Sequence, residues 1–235
     1  MKVEILGVRI DNLTMEEALQ KVDGFLKDGH QHYIVTPNPV FLVKAQKDKE
    51  FKEILNLADL AVPDGIGLVF ASWFLGQPLK ERITGIDLME KICQKAMQKK
   101  WPVFLLGGQP HVTEKAVDNL RKKYLGLEVK RMRIGQRLEQ PAVLFVALGA
   151  SKQEKWINDN LRKMPSVRLA IGVGGSFDFI SGRVQRAPKF LQTIGLEWLW
   201  RFFCQPWRIE RIFKSVIVFP WMVIKGRISK DGPQM

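Results

Sequence analysis

Short apolar runs at 33–35, 60–62, 103–106, 143–146 and 169–173 alternate with stretches whose apolar residues recur at helical spacing, and this alternation leaves few architectures open. The runs are dominated by Val, Ile, Leu and Phe, as strands buried on both faces require. The intervening stretches carry helix starts. Thr14-Met-Glu-Glu17 is a capping box ahead of Ala18, Leu19, Val22, Phe25 and Leu26. Asn38-Pro39 sets an N-cap before a proline at the first helical position, and Ser151-Lys-Gln-Glu154 is a second capping box ahead of Trp156, Ile157 and Leu161. Strand, helix, strand repetition predicts an α/β fold with a mainly parallel, Rossmann-like sheet flanked by helices on both faces.

In such sheets ligands collect beyond the carboxyl ends of the strands, where glycines admit a close backbone and helix N-termini present unpaired N–H groups. The residues at those five places are Thr36, Pro37 and Asn38; Asp64; Gly107, Gly108 and Gln109; Gly149, Ser151 and Gln153; and Gly172, Gly174, Gly175, Ser176 and Asp178. Together they would line one polar crevice able to take a diphosphate. Asp64 and Arg82 suit chemistry on a hydroxyl beside a phosphate: a carboxylate accepts the hydroxyl's proton, and a guanidinium neutralises the charge on a leaving phosphate. Each feature has a plainer alternative. Pro63-Asp64-Gly65 is also an ordinary turn, the glycine pairs also suit strand-to-helix turns, and Asn38 and Ser151 also serve as caps. Gln153, a neutral amide in a first helical turn, gains nothing from the helix dipole, so a ligand contact stands level with a plain structural role.

Other chemistries lack their signatures. Gly172-Val-Gly-Gly-Ser-Phe has the wrong spacing for a dinucleotide loop, and no GxxxxGK[ST] loop occurs. His30, His32 and His111 show no HExxH spacing, and there is no GxSxG nucleophile turn. A DxD pair that would hold a divalent cation on a nucleotide sugar is absent, so no metal is expected. Cys93 and Cys204 have no CxxC partner, which argues against a disulfide framework and for a reducing, cytoplasmic setting. The opening eleven residues interleave charged with apolar side chains, unlike a signal peptide. No segment offers the roughly 18 to 20 uninterrupted apolar residues of a membrane span.

The formal net charge of +13 is held unevenly: from Arg183 to Lys230, ten Lys and Arg stand against Glu197 and Glu210. This stretch mixes the cations with Trp, Phe and Ile, so the expected organisation is an α/β core over residues 1–190 and a basic, aromatic, helical appendage over 191–235. Arg201, Arg208 and Arg211, seven and three positions apart, fall on one helical face, with Pro206 interrupting between the first two. Rings at a headgroup boundary beside cations facing anionic lipid are what an interfacial helix uses. The alternative is that the rings pack on the sheet as core. The nine-residue apolar run ending at Ile224 is broken by Pro220 and is too short to span a bilayer. An anionic membrane surface is therefore the expected partner. Nucleic acid is not, since no helix-turn-helix or zinc-finger signature accompanies the charge.

Several ordered blocks carry a more specific likeness. Thr36-Pro-Asn-Pro39, Ala58-Asp-Leu-Ala-Val-Pro-Asp-Gly-Ile-Gly67, Gly76-Gln-Pro-Leu-Lys-Glu-Arg-Ile-Thr-Gly-Ile-Asp87, Phe104-Leu-Leu-Gly-Gly108, Leu148-Gly-Ala-Ser-Lys-Gln-Glu-Lys-Trp156 and Gly172-Val-Gly-Gly-Ser-Phe-Asp178 with Arg186-Ala-Pro188 together resemble the WecG/TagA/CpsF glycosyltransferases, most closely the TagA branch. The resemblance implies transfer, with inversion, of an N-acetylmannosamine-type sugar from a UDP donor onto a polyprenyl-diphosphate-linked N-acetylglucosamine. The setting it implies is wall teichoic acid or related polymer synthesis on the inner face of the cell membrane. It also implies Asp64 as general base and Thr36, Asn38, Arg82 and Gln153 as parts of the active-site pocket. Gly107, Gly108, Gly174, Gly175 and Asp178 would hold the UDP-sugar donor, and Arg201, Arg208 and Arg211 would reach the lipid diphosphate. The UDP-sugar is a substrate, so no cofactor is implied.

A uronic-acid or glucose donor, a non-catalytic peripheral membrane protein, and a homo-oligomer stay open. One departure from the family accompanies the likeness. Between Glu128 and Ala142 its members carry a longer, acidic, helix-forming stretch where this chain is short and basic, so a strand and most of a helix are expected to be missing there.

Overall fold

The structure, a computed structural model, describes residues 1–133, 135, 136, 138 and 140–231. Strands β1 (Lys2–Ile5) and β2 (Val8–Asp11) pair as an antiparallel hairpin through Leu6 and Gly7, both at positive φ. Strands β3 (His32–Val35), β4 (Leu60–Ala61), β5 (Val103–Gly107), β6 (Val129–Arg131), β7 (Ala142–Ala147) and β8 (Val167–Gly172) form a parallel sheet in the order β4-β3-β8-β7-β5-β6. The five apolar runs of the sequence are its five inner and flanking strands. β6 is an addition to them.

Helices α1 (Met15–Lys27), α2 (Pro39–Ala45), α3 (Lys49–Leu57), α4 (Ile66–Phe74), α5 (Gly85–Lys99), α6 (Pro110–Lys123), α7 (Lys152–Asn160) and α8 (Ser176–Ile180) connect the strands or follow the last of them. Alternate residues of a strand face opposite sides of a sheet. On one side Ile34, Leu105, Phe145 and Ile171 meet Val22 of α1, Leu88 and Ile92 of α5, and Ala116 and Leu120 of α6. On the other, Leu144, Val146 and Ala170 meet Ile157 of α7, while Val35 and Ala61 meet Phe41 of α2 and Phe51 of α3. Both faces being covered is why the strands read as unbroken apolar runs.

The helix starts form as their sequences require. Thr14 Oγ1 accepts from the Glu17 backbone N–H at 3.2 Å, and Glu17 Oε2 accepts from the Thr14 N–H at 2.8 Å.

The expectation that a strand and most of a helix are missing between Glu128 and Ala142 needs correcting in its first half. The strand exists as β6, paired in parallel with β5 from Val103 opposite Val129. Among the described residues from 132 to 141 there is no helix; Ile134, Arg137 and Glu139 lie outside the described residues. Met132 and Leu138 join Phe104, Leu144 and Trp156 on that face of the sheet.

Beyond the sheet, α9 (Lys189–Thr193), α10 (Glu197–Cys204) and α11 (Ile209–Phe213) lead through a π-helical turn at Lys214–Val218 into α12 (Phe219–Asp231). Phe219 and Val223 of α12 are buried among the side chains of α2, α3 and α4. No helix among the described residues is long and apolar enough to cross a membrane.

Candidate active site

The carboxyl ends of β3, β4, β5, β7 and β8 open into one cleft of about 630 Å³, covered by the appendage helices. That volume suits a nucleotide-sized ligand. Of the strand-end residues expected to line the crevice, Pro37, Gly107, Ser151 and Gly172 are not on its wall, whereas the others, with Arg82, Arg201, Arg208 and Arg211, are. Gly107 instead shapes the turn after β5: it sits at φ +90°, and a Cβ there would lie 2.6 Å from the Ala147 carbonyl oxygen. Its neighbour Gly108, which does face the cleft, donates its N–H to that same oxygen at 2.8 Å.

Asp64 is held by the backbone around it. Its N–H donates to the Pro37 carbonyl at 2.8 Å, and the Ile83 N–H donates to the Pro63 carbonyl at 2.9 Å, so the turn after β4 is fastened to the loop after β3 and to the segment entering α5. Gly65 follows at φ +128°, a conformation open to glycine, and lets α4 start at once. Half-buried on the cleft wall, the Asp64 carboxyl is pushed up to about 6. Burial is the main cause and Glu197 adds to it, while Arg201, Arg82 and Arg211 pull the other way. A carboxylate with that affinity for a proton is ionised at neutral pH and is a stronger base than an exposed aspartate.

The other polar side chains on this wall are bonded within the protein. Buried Thr36 donates Oγ1–H to the Gly172 carbonyl at 2.9 Å. Asn38 Oδ1 accepts from the Val40 and Phe41 N–H groups at 3.1 and 3.3 Å, so its side chain caps α2 while lining the cleft. Gln153, fully buried, accepts the Gly174 N–H on Oε1 at 3.1 Å and donates Nε2–H to Glu154 Oε1 at 2.6 Å. Its amide therefore fixes the glycine turn after β8. Glu154, which the sequence suggests only as a capping partner, also accepts from the Ser151 N–H at 2.8 Å, and burial pushes its carboxyl up to about 7.

The opposite wall is cationic. α10 stops at Cys204, ahead of Pro206 as its sequence requires, and a 3₁₀ turn at Pro206–Arg208 re-aims the chain into α11. Arg201, Arg208 and Arg211 nevertheless reach the same cleft. Arg201 pairs with Glu197 at 3.1 Å and lies over the Phe179 ring at 4.4 Å. Arg208 is pushed down to about 10 by burial and by Arg201 and Arg211, with Asp178 opposing. Arg211 is lowered by desolvation and by Arg201, with Asp64 opposing. Cations that weaken one another's hold on a proton are short of anions, and a diphosphate would supply them. Arg82 joins this wall to the core: its Nη2 donates to the Gln192 carbonyl of α9 at 2.8 Å.

Residues that sequence reasoning did not assign complete the enclosure. Arg183 donates to Gln109 Oε1 at 2.9 Å and approaches Asp178 at 3.4 Å, drawing the β5 and β8 turns together. Arg186 makes two hydrogen bonds to Asp87, at 2.6 and 2.7 Å, and ties the strap before α9 to α5. Glu197 is buried and lines the cleft. The i, i+4 spacing of Glu197 and Arg201 was visible in the sequence; its approach to Asp64, across more than 130 residues of chain, was not.

The model of the family described as "Glycosyl transferase WecG/TagA/CpsF family" matches residues 3–232. The N-acetylglucosaminyldiphosphoundecaprenol N-acetyl-beta-D-mannosaminyltransferase of Bacillus spizizenii (strain ATCC 23059 / NRRL B-14472 / W23) is 35% identical over 220 residues, covering 89% of this chain and 85% of that protein. The protein of the same name from Staphylococcus aureus (strain NCTC 8325 / PS 47) is 34% identical over 239 residues, covering 96% and 93%.

Proposed function

Because the chain belongs to the WecG/TagA/CpsF glycosyltransferase family, we propose that it moves N-acetylmannosamine from UDP-N-acetylmannosamine to polyprenyl-diphosphate-linked N-acetylglucosamine, in a β-1,4 linkage. The observation that carries this reading is Asp64, its carboxyl at about 6, on the wall of a nucleotide-sized cleft whose facing wall is arginine.

The reaction is a single displacement. Asp64 takes the proton of the acceptor hydroxyl as that oxygen attacks the anomeric carbon from the face opposite UDP. The new C–O bond forms while the bond from that carbon to the β-phosphate oxygen breaks, and UDP leaves with the electron pair. Arg82 and the appendage arginines meet the charge developing on the diphosphate. The turns bearing Gly108, Gly174 and Gly175, shaped by Gly107, hold the nucleotide with Asp178, while Thr36, Asn38 and Gln153 keep the pocket wall in register. Guanidinium groups take the place a divalent cation has in other nucleotide-sugar transferases, so the reaction is written without a metal.

The enzyme works as a peripheral protein on the cytoplasmic face of the membrane. Exposed Phe203, Trp207 and Trp221 in the appendage favour this placement. The test is an assay of the purified full chain with a short-chain lipid-diphosphate acceptor and each of UDP-N-acetylmannosamine, its uronic acid and UDP-glucose. Disaccharide should appear with the first donor, in step with UDP release, and persist in excess chelator. No product from that donor would refute the assignment, and loss of product on chelation would refute the metal-free scheme.

A further inference from the structure

α4, Ile-Gly-Leu-Val-Phe-Ala-Ser-Trp-Phe, carries no charged residue. Leu68, Ala71 and Ser72 are buried, whereas Phe70, Trp73 and Phe74, at i, i+3 and i+4, form one face and are 61%, 66% and 44% exposed. A helix packed on a soluble core ordinarily turns polar side chains outward, and one that is apolar all round is desolvated all round in its working state. α12 and the turn before it repeat the pattern. Phe219 and Val223 point into the core, while Ile217, Trp221, Ile224 and Ile228, four, three and four positions apart, form the opposite face and are exposed.

The two faces belong to neighbouring helices. The Arg227 guanidinium lies 4.8 Å from the Phe74 ring centroid and donates to the Phe74 carbonyl, and Lys225 sits over the Trp221 ring at 5.2 Å. The start of the appendage also meets α4, since a Cβ on Gly195 would fall 2.6 Å from Ile66 Cγ1. α4 thus touches the appendage at both ends.

We infer that the Phe70, Trp73 and Phe74 face of α4, together with the outer face of α12, is a single docking surface for an anionic lipid bilayer, to which the α/β core contributes directly. Rings entering the headgroup boundary with Lys225 and Arg227 beside them match a negatively charged, half-apolar partner. A second copy fits less well, because a two-fold contact would set these cations, and a segment with ten Lys and Arg against two acids, against themselves. The same chain segment runs from Arg211 through the π turn into α12, so lipid docking and the arginine wall are mechanically joined. The inference rests on the peripheral-membrane reading above and adds the core's share in it.

The test uses the full chain and co-sedimentation with vesicles of two parts phosphatidylcholine to one part phosphatidylglycerol. The F70Q/W73Q and W221Q/I224Q variants should each lose at least about tenfold in partitioning. Both should keep the native thermal midpoint and UDP affinity, and F70L/W73L should partition like the native protein. If F70Q/W73Q partitions like the native chain while W221Q/I224Q is lost, α4 has no such role and membrane attachment through the appendage stands. If the native chain does not partition at all, both readings fall together. If the native chain is a dimer that F70Q/W73Q converts to a monomer without changing partitioning, the α4 face joins copies of the chain and the inference is wrong. Loss in F70L/W73L as well would mean that the face acts through its exact packing, which also overturns it.

Discussion

Across the cleft the two walls handle polar groups in contrary ways. On the strand-end wall Thr36, Asn38 and Gln153 have their side-chain bonds answered inside the protein, and the peptide groups beside Asp64 are tied to neighbouring loops. On the appendage wall Arg201, Arg208 and Arg211 press on one another, with Glu197, Asp64 and Asp178 as the acids nearby. One wall is a scaffold whose polar groups are already bonded within the protein; the other gathers cations which, in the proposed reaction, would meet an anion arriving with the substrates. The contrast extends to apolar groups. The strands are buried on both faces, while the appendage and α4 leave large rings in solvent.

Five substitutions would break or sharpen this contrast. The largest effect is expected from Asp64→Asn, which should lower turnover by about 10² to 10⁴ while leaving UDP affinity near native, because the amide cannot accept the hydroxyl proton. Turnover assays and calorimetric UDP titration measure both. Next, Arg208→Ala and Arg211→Ala should each lower kcat/KM by about 10²-fold with little change in thermal midpoint, as groups that stabilise a leaving diphosphate and not the fold. A large loss of midpoint with modest loss of rate would make the arginine wall structural. Gln153→Ala should do the reverse, costing about 1–3 kcal/mol in urea unfolding by leaving the Gly174 N–H and the Glu154 carboxyl without their partner. Smallest is Glu197→Gln. Removing a like charge beside Asp64 lowers the pH at which that carboxyl ionises, so the acid limb of the rate profile moves to lower pH.

The sheet was legible because a strand covered on both sides must be apolar throughout, as at 103–106 and 143–146, and because polar residues and glycines follow each run. β6 was not, since a three-residue edge strand with one buried side chain, Val129, leaves no periodicity in Val-Lys-Arg. The β1–β2 hairpin hid behind Leu6, an unusual residue at positive φ where Asn or Gly would have marked the turn. In the site, Asp64, Gly108 and Asp178 were readable from their place after strands. Gly107 fell in the right turn but serves its shape. Arg82 was expected from the sequence to meet a phosphate and does line the cleft, whereas its bond to Gln192, 110 residues away, exists only once the appendage has folded back. α4 had no reading from the sequence: an uncharged apolar stretch carries no polar face to orient it, and the exposure of Phe70 and Trp73 follows only from how the helix packs.

In the proposed reaction Asp64 is a base whose proton affinity is raised by burial beside the arginine wall. The direct measurement is kcat/KM against pH for the native enzyme with its lipid-diphosphate acceptor. The reactive form is the ionised carboxyl, so the rate should fall tenfold per unit below a midpoint of about 6, and this limb should vanish in Asp64→Asn. A midpoint near 4, where an ordinary exposed aspartate titrates, or the same limb persisting in Asp64→Asn, would contradict it.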